Sequence, residues 1–434
     1  MLSSKANSLK NRAINKLIRH YTNLNIFFFD LKCYGYKLAK INNRINLFLL
    51  RNDWSKSKTL IEIKYNLPEI KCDAGYLRLL QSMNCNDFDK FEYENIEQNI
   101  RQCNLCLKSL STNILLHLYQ YYRYFGDFRV ANYLREYMLL GFISEQSSLR
   151  TVSPLALQAY LELDKPEYIS TIIEEKKIKY FDRIIVNEIL SVSYLMMGDN
   201  EKANLLWKNK FTSSDNMFFD QISGKSVAVV GPGKNDKVQG DDIDSYDFII
   251  RTNYRIGSNY PESKYGNRTD ISYYNHARIS SDFEEVRNAT KKLSWVVLKS
   301  QCDEGKYNRF VDNNIFTRTS YTAHQFFFHD AAPMGIQNII SDLMRFSPKV
   351  IKIYNSNFYN TANTYSENYR KIPLNADFIS ESLRIHEPFS GFRFIQNMVN
   401  RGLCKVDTMT NDAVKISVDK YAENINQYYG STTL

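Results

Sequence analysis

No stretch of this chain approaches the roughly 18 consecutive apolar residues that a bilayer-crossing helix needs, which excludes a membrane span on the sequence alone. The opening, MLSSKANSLKNRAINK, has no continuous apolar core of the kind a secretory leader carries, so the expectation is a cytoplasmic protein. Cysteine is scarce and odd in number, 7 in 434 residues, which argues against a disulfide framework. Cys103 and Cys106 form a C-x-x-C pair. It lies in a helical pattern, QNIRQCNLCLKSL, and neither a second pair nor a His pair follows at zinc spacing, so both are read as buried thiols.

Acidic charge is the scarcer sign: 56 Lys and Arg face 47 Asp and Glu, a formal charge of +9. That excess is either a solvated basic surface or an attraction for anionic lipid, anionic glycan or a negatively charged donor; no nucleic-acid partner is expected. Lys5, Lys10, Arg12, Lys16 and Arg19 alternate with apolar positions at the amino end. A basic amphipathic helix there has two readings, peripheral contact with the inner membrane or packing on a neighbouring helix.

What the chain has in quantity is length, and aromatic residues: 31 Tyr and 26 Phe. A chain of 434 residues exceeds one ordinary core and predicts two domains. From about residue 42 to 211 apolar residues recur every three to four positions, a helical pattern. Gly126-Asp127 and Gly198-Asp199 open closely similar segments about two units of 36 residues apart, and a degenerate middle unit fits at Leu157 to Ile169. Helix pairs with Gly-Asp at the turn and Ala, then Leu, on the second helix resemble tetratricopeptide repeats. They imply a scaffold, or a face for an acceptor or a partner protein. Thr212 to Asn216 is a polar linker. The expected division is an all-α repeat domain over 1–215 and an α/β Rossmann-like domain, a single parallel nucleotide-binding sheet, over 216–434.

The second part is organised around Lys225 to Asp270. Val227 to Val230 is a short β-branched apolar run that stops at Gly231-Pro232-Gly233, as a buried parallel strand does on meeting a tight turn. Glycines let bare N–H groups reach an anion, and ligands of open α/β sheets collect beyond the carboxyl ends of strands. A second strand over 246–250 ends in the polar triplet Arg251-Thr252-Asn253. Further strands are expected at Trp295 to Leu298 and Val350 to Tyr354, with a loop-rich section over 299–322 and a helix over 337–346.

VAVVG, GDDIDSYDFIIRTN and YGNRTD, in that order, resemble the large sialylmotif of the animal-type sialyltransferases and their bacterial relatives. The resemblance implies donor-phosphate contacts from Gly231, Pro232 and Gly233, and donor contacts from Arg251, Asn253 and Asn275. Pro232 stands where that family usually has Asn, and Ser226 replaces its disulfide cysteine, as a reducing compartment allows. His329 to Ile336 and the strand ending at Tyr354 resemble the small sialylmotif, with Met334 in place of its hydroxyl residues. Pro333, Met334, Gly335 and Tyr354 are implied donor contacts, and the helix start offers unpaired N–H groups to a phosphate or carboxylate. His329, His324, Tyr365 and Tyr369 are candidates for support of the leaving phosphate. His386, in HEPFSGF, is the implied catalytic base; Gly391 takes the family's Glu position, with Glu387 near enough in sequence to substitute.

The expected activity is transfer of a sialic acid, or a related ulosonic acid, from its CMP-activated donor to an oligosaccharide or glycolipid acceptor in bacterial surface-polysaccharide synthesis. Two alternatives stand beside it. One is a retaining transferase using CMP-Kdo, with Asp236 as nucleophile; the other is a non-catalytic repeat protein with a degenerate nucleotide fold. Asp242-Ile243-Asp244 also matches the metal-gripping Asp-x-Asp of other sugar-nucleotide transferases, but it precedes its strand rather than closing it. It is therefore read as turn chemistry, and no metal or other cofactor is expected.

Overall fold

The computed structural model describes residues 126–179, 183–255, 260–275, 283–299, 316–320, 334–362, 365–366, 369 and 376–430, with 112, 115, 116, 119, 122 and 123. The basic amino end, Cys103, Cys106, His324, His329 and Pro333 lie outside the described residues.

The described chain opens with helices α1 (Phe128–Ser148), α2 (Pro154–Glu162), α3 (Glu167–Glu175), α4 (Arg183–Met196) and α5 (Asn200–Lys208). Two of their starts are built identically. Gly126 and Gly198 sit at φ 82° and 83°, where a side chain would be strained, and the Asp after each caps the following helix. Asp127 accepts from Val130 N–H and Asp199 from Lys202 N–H, each at 3.1 Å. The polar run at 212–216 is not a linker. Thr212 and Asp215 form a reciprocal capping box that starts α6 (Ser213–Ile222), because each supplies the acceptor for the other's backbone donor.

Seven parallel strands follow: β1 (Ser226–Val230), β2 (Phe248–Thr252), β3 (Ile271–Tyr274), β4 (Trp295–Leu298), β5 (Phe316–Thr319), β6 (Val350–Tyr354) and β7 (Lys405–Val406), in the order β5-β4-β3-β2-β1-β6-β7. The chain steps outward from β1 to β5, then returns to the other side of β1, so the direction reverses between β1 and β6. This is the Rossmann-like arrangement that the alternation of strands and helices predicts. Strand β5 falls within the section expected to be loop; its FTRT hides behind polar residues because the buried Arg318 is neutralised in the fold rather than in the sequence.

Helices α10 (Gly335–Leu343) and α6 cover one face of the sheet. Arg318 of β5 donates to Asp342 of α10 at 2.5 and 3.1 Å and to Asp215 of α6 at 3.0 Å, and Tyr273 of β3 donates to Asp342 at 2.7 Å. Burial works against the Arg318 charge, but Asp342 more than offsets it and raises the pKa of the guanidinium. Phe218 packs edge-on against Trp295 and Phe346, with the Arg318 guanidinium 4.7 Å from its ring centre. The long helices α1 and α4 continue the same hydrophobic core as the sheet, so among the described residues one core runs from Leu115 to Tyr429.

The carboxyl-terminal helices α11 (Ala376–Ile385), α12 (Pro388–Asn400), α13 (Thr408–Val414) and α14 (Val418–Tyr429) close the molecule. Helix α14 lies on α1, where Asn426 accepts from Phe128 N–H at 2.9 Å. Glu387 caps α12 and is fully buried, yet its carboxylate turns toward the amino-terminal helices. It accepts from Arg123 at 2.6 Å and from the Tyr119 hydroxyl, and sits 3.2 Å from Arg135, which in turn is paired with Glu162. Burial alone would raise the Glu387 pKa, but Arg135 and Arg123 reverse that and hold it below its ordinary value of 4.5.

Glu387→Ala leaves two buried guanidinium groups short of their anion and is expected to cost about 3–5 kcal/mol of stability in urea unfolding. Because the folded-state pKa of Glu387 is depressed, the wild-type contribution is complete above the ordinary carboxylate range. It is lost as pH falls through the folded value, so the gap between wild type and variant should narrow in acid.

Candidate functional site

The carboxyl ends of β1 and β2 open into a solvent-facing cleft. Gly231 and Pro232 line it from β1, the run from Arg251 to Arg255 lines it from β2, and Tyr260 and Tyr369 close its rim. Two arginines and no carboxylate are among these residues, so the cleft favours an anion.

The glycine turn is built for a different contact from the one expected. Gly231 N–H donates to Tyr354 C=O and Gly233 N–H to Asn355 C=O, both at 2.8 Å, so these amides are tied to the end of β6 rather than offered to a phosphate. A Cβ on Gly231 or Gly233 would stand 2.6 or 2.5 Å from the Asn355 carbonyl oxygen, and this close backbone crossing is why both positions are glycine. The reversal point between β1 and β6 is itself filled. Asn355, at φ 53°, accepts from Asn235 and Gln239 side chains at 2.6 Å, while Asp407 accepts from Asn355 N–H at 3.0 Å. The open space is thereby displaced to the β1 and β2 side.

Arg251 is buried and holds the loop after α8 (Glu262–Tyr265), donating to Thr269 Oγ1 at 2.9 Å and Tyr265 C=O at 2.5 Å. Burial lowers its pKa, with nearby tyrosines and Asp244 acting the other way. Asn253 lines the cleft in a left-handed conformation, φ 51°, and its side chain accepts from Asn275 N–H at 3.1 Å. Tyr369 stacks on Tyr365, whose backbone bridges Gly233, and burial raises the pKa of the facing Tyr260.

Other expected site residues stand elsewhere. The Tyr354 hydroxyl donates to Asp242 at 2.7 Å within a cluster under α7 (Gly240–Asp244), away from the cleft lining. Asp236 has an 87% exposed side chain, pairs with Lys264 at 2.9 Å and is not among the lining residues. Its contact with Lys264 holds its pKa below the ordinary value. Asp242 also takes Lys352 at 2.8 Å, and Asp244 caps the turn at Asn267 and Arg268, which is the turn chemistry read from their place before the strand. Among the described residues no group of three or more His, Cys, Asp or Glu side chains comes together.

His386 sits, partly exposed, between α11 and α12 and is not among the residues lining the cleft. The first turn of α12 presses on that of α10: a Cβ at Gly391 would lie 3.2 Å from the Gln337 side chain. Gly391 is therefore a close-approach glycine, and Glu387 is engaged with Arg123 and Arg135. At the start of α10, buried Met334 provides no side-chain cap, and Gly335 lies against Thr252 and the Lys299 ammonium. Arg255, Tyr260 and Lys299 are additions to the expected set. Lys299 follows the apolar strand WVVL directly, the same placement that singles out Arg251.

The fold and this cleft define a Rossmann-like domain with an anion-favouring site at its strand ends. Residues 176–373 match the family model of glycosyltransferase family 29, the sialyltransferases, so the resemblance carried by the two sialylmotif-like segments holds over that stretch. His386 lies beyond it. No curated protein matches the chain. Among solved structures the chain is similar to a mammalian sialyltransferase in complex with Gal-beta-1-3GalNAc-ortho-nitrophenol, at 12% identity and a TM-score of 0.31, over 48% of this chain and 85% of that one. No helix among the described residues is long and apolar enough to cross a membrane.

Gly233→Ala forces the turn away from the Asn355 carbonyl and is expected to lower stability by about 1–3 kcal/mol, read as a depressed melting temperature. A variant that melts with wild type would show that the crossing does not constrain this turn.

Proposed function

We propose that the chain transfers a sialic acid, or a closely related ulosonic acid, from its CMP donor to a glycan hydroxyl with inversion. The observation that carries this reading is the cleft at the ends of β1 and β2, with Arg251 and Arg255 and no carboxylate in its lining, inside the family-matched segment. A CMP-sugar loses its nucleotide through an oxocarbenium-like transition state, so the protein's tasks are to hold the departing phosphate and to deprotonate the acceptor. Since Gly231 and Gly233 N–H groups are engaged with β6, phosphate contacts are assigned to the side chains of the cleft and to the start of α10. His386 is assigned the base, and Pro333 and His329 keep the donor roles that the resemblance implies.

The exposure of Asp236 and its pairing with Lys264 favour inversion over a covalent adduct on that residue. The engagement of Asp242 and Asp244 within the fold favours a metal-independent reaction. The amino-terminal helices are assigned to acceptor or partner binding, with a peripheral membrane contact through the basic amino end.

Incubation with CMP-sialic acid and with CMP-Kdo is expected to release CMP from the former; release from neither above background would remove the enzymatic reading. His386→Ala should lower transfer at least about 100-fold with the melting temperature unchanged, as loss of a general base does. Asp236→Asn should leave both the melting temperature and transfer near wild type. Activity that disappears with a chelator and returns with manganese or magnesium would contradict metal independence.

A further inference from the structure

Lys299 leaves the end of β4 with its backbone N–H bound to Tyr274 C=O at 3.0 Å, and its side chain runs to the start of α10. Its Nζ stands 3.4 Å from where a Cβ on Gly335 would be, and the Thr252 methyl is 3.0 Å from the same point. Three elements, β2, β4 and α10, thus converge on one spot at the carboxyl edge of the sheet, beside the cleft that Thr252 lines. Two positive features meet there, and among the described residues no carboxylate pairs with either. Helix α10 is 9 residues long and begins without a side-chain cap, so its first-turn amides and dipole present positive potential. Among the described residues Lys299 makes no side-chain hydrogen bond or ion pair.

The charged groups on the packed elements do not supply the missing anion. Asp342 of α10 is held by Arg318 and Tyr273, Arg251 of β2 carries the same sign as Lys299, and the Tyr274 hydroxyl donates to Tyr254 C=O. An ammonium placed against a helix amino terminus is electrostatically unfavourable by itself, and burial pushes its pKa down to about 8. An arriving oxyanion removes both penalties at once.

We propose that Lys299, together with the uncapped start of α10 at Gly335, forms the oxyanion subsite that holds an anionic group of the substrate, replacing the hydroxyl contacts that Met334 cannot make. This assignment rests on the reading of the cleft as a CMP-sugar site. A donor of that class carries two candidate oxyanions, the phosphate and the sugar carboxylate, and both suit an ammonium beside free amides. With the carboxylate as the anion held, Lys299 is a specificity-determining residue that favours anionic sugars over neutral ones; with the phosphate, it holds the nucleotide.

The test titrates wild type, Lys299→Met and Lys299→Arg with CMP, free sialic acid, CMP-sialic acid and inorganic phosphate, by calorimetry and by ligand-induced shift in melting temperature. Lys299→Met should melt at or above the wild-type temperature, since an uncompensated cation is removed, yet bind the relevant oxyanion at least about tenfold more weakly. Lys299→Arg should retain part of that affinity. Loss confined to CMP and phosphate assigns the phosphate to the subsite; loss confined to sialic acid assigns the carboxylate. Wild-type affinity should also decline as pH rises through about 8, where the free ammonium loses its proton, and the Met variant should lack that decline. Equal affinities of wild type and Lys299→Met for every probe overturn the subsite while leaving the donor reading standing. Wild type that ignores both CMP compounds but binds phosphate in a Lys299-dependent manner keeps the subsite and overturns the donor reading.

Discussion

The buried cluster around Glu387 is the constraint on which the arrangement of the molecule depends. A carboxylate with no exposure is stable only if it is paired and hydrogen-bonded, and Arg123, Arg135 and Tyr119 come from helices more than 250 residues away in sequence. Arg135 also binds Glu162 and Ser390, and Ser390 donates to Glu162 at 3.0 Å. Breaking this set leaves charge without a partner, so α12 has one stable seat against α1 and α2. His386, one residue before Glu387, is placed by the same anchor. The amino-terminal helices therefore do more than precede the sheet: they fix the start of α12, two residues after His386.

A second cluster acts on the other side. Arg318 ties β5 to α10 and α6 through Asp342 and Asp215, and Arg345 pairs with Glu188 of α4 at 2.6 Å. The start of α10, where Gly335, Thr252 and Lys299 meet, is thus held from its far end by Asp342. Precise placement of a helix amino terminus matters for anion binding because the dipole's influence falls off within its first turn.

The glycine turn shows how one residue type serves two purposes that a sequence cannot separate. Gly231 and Gly233 are required because the Asn355 carbonyl passes within contact of their missing side chains. The same residues border the cleft, but their amides are engaged with β6. The polar nest of Asn235, Gln239, Asn355 and Asp407 fills the point where strand order reverses, which moves the usable space toward β2.

By itself the sequence determined the parallel sheet and its key strands. WVVL and VIKIY occupy the expected ranges and VAVV is extended by one residue, because a strand buried on both faces must be a short β-branched run. Arg251, Asn253 and the Gly231 turn, picked out by their place at the ends of such strands, line the cleft, although β2 runs two residues later than expected, so that Arg251 and Thr252 fall inside it. Tertiary structure alone decided which side chains face the cleft. Tyr354, Asp236 and Glu387 are close to it along the chain, yet Asp242, Lys264 and the Arg123 and Arg135 pair draw them elsewhere. Strand β5 and the setting of Lys299 were hidden for the same reason: whether a charged side chain is neutralised, exposed or left waiting for an anion depends on partners distant in sequence, and only the packed fold brings them within reach.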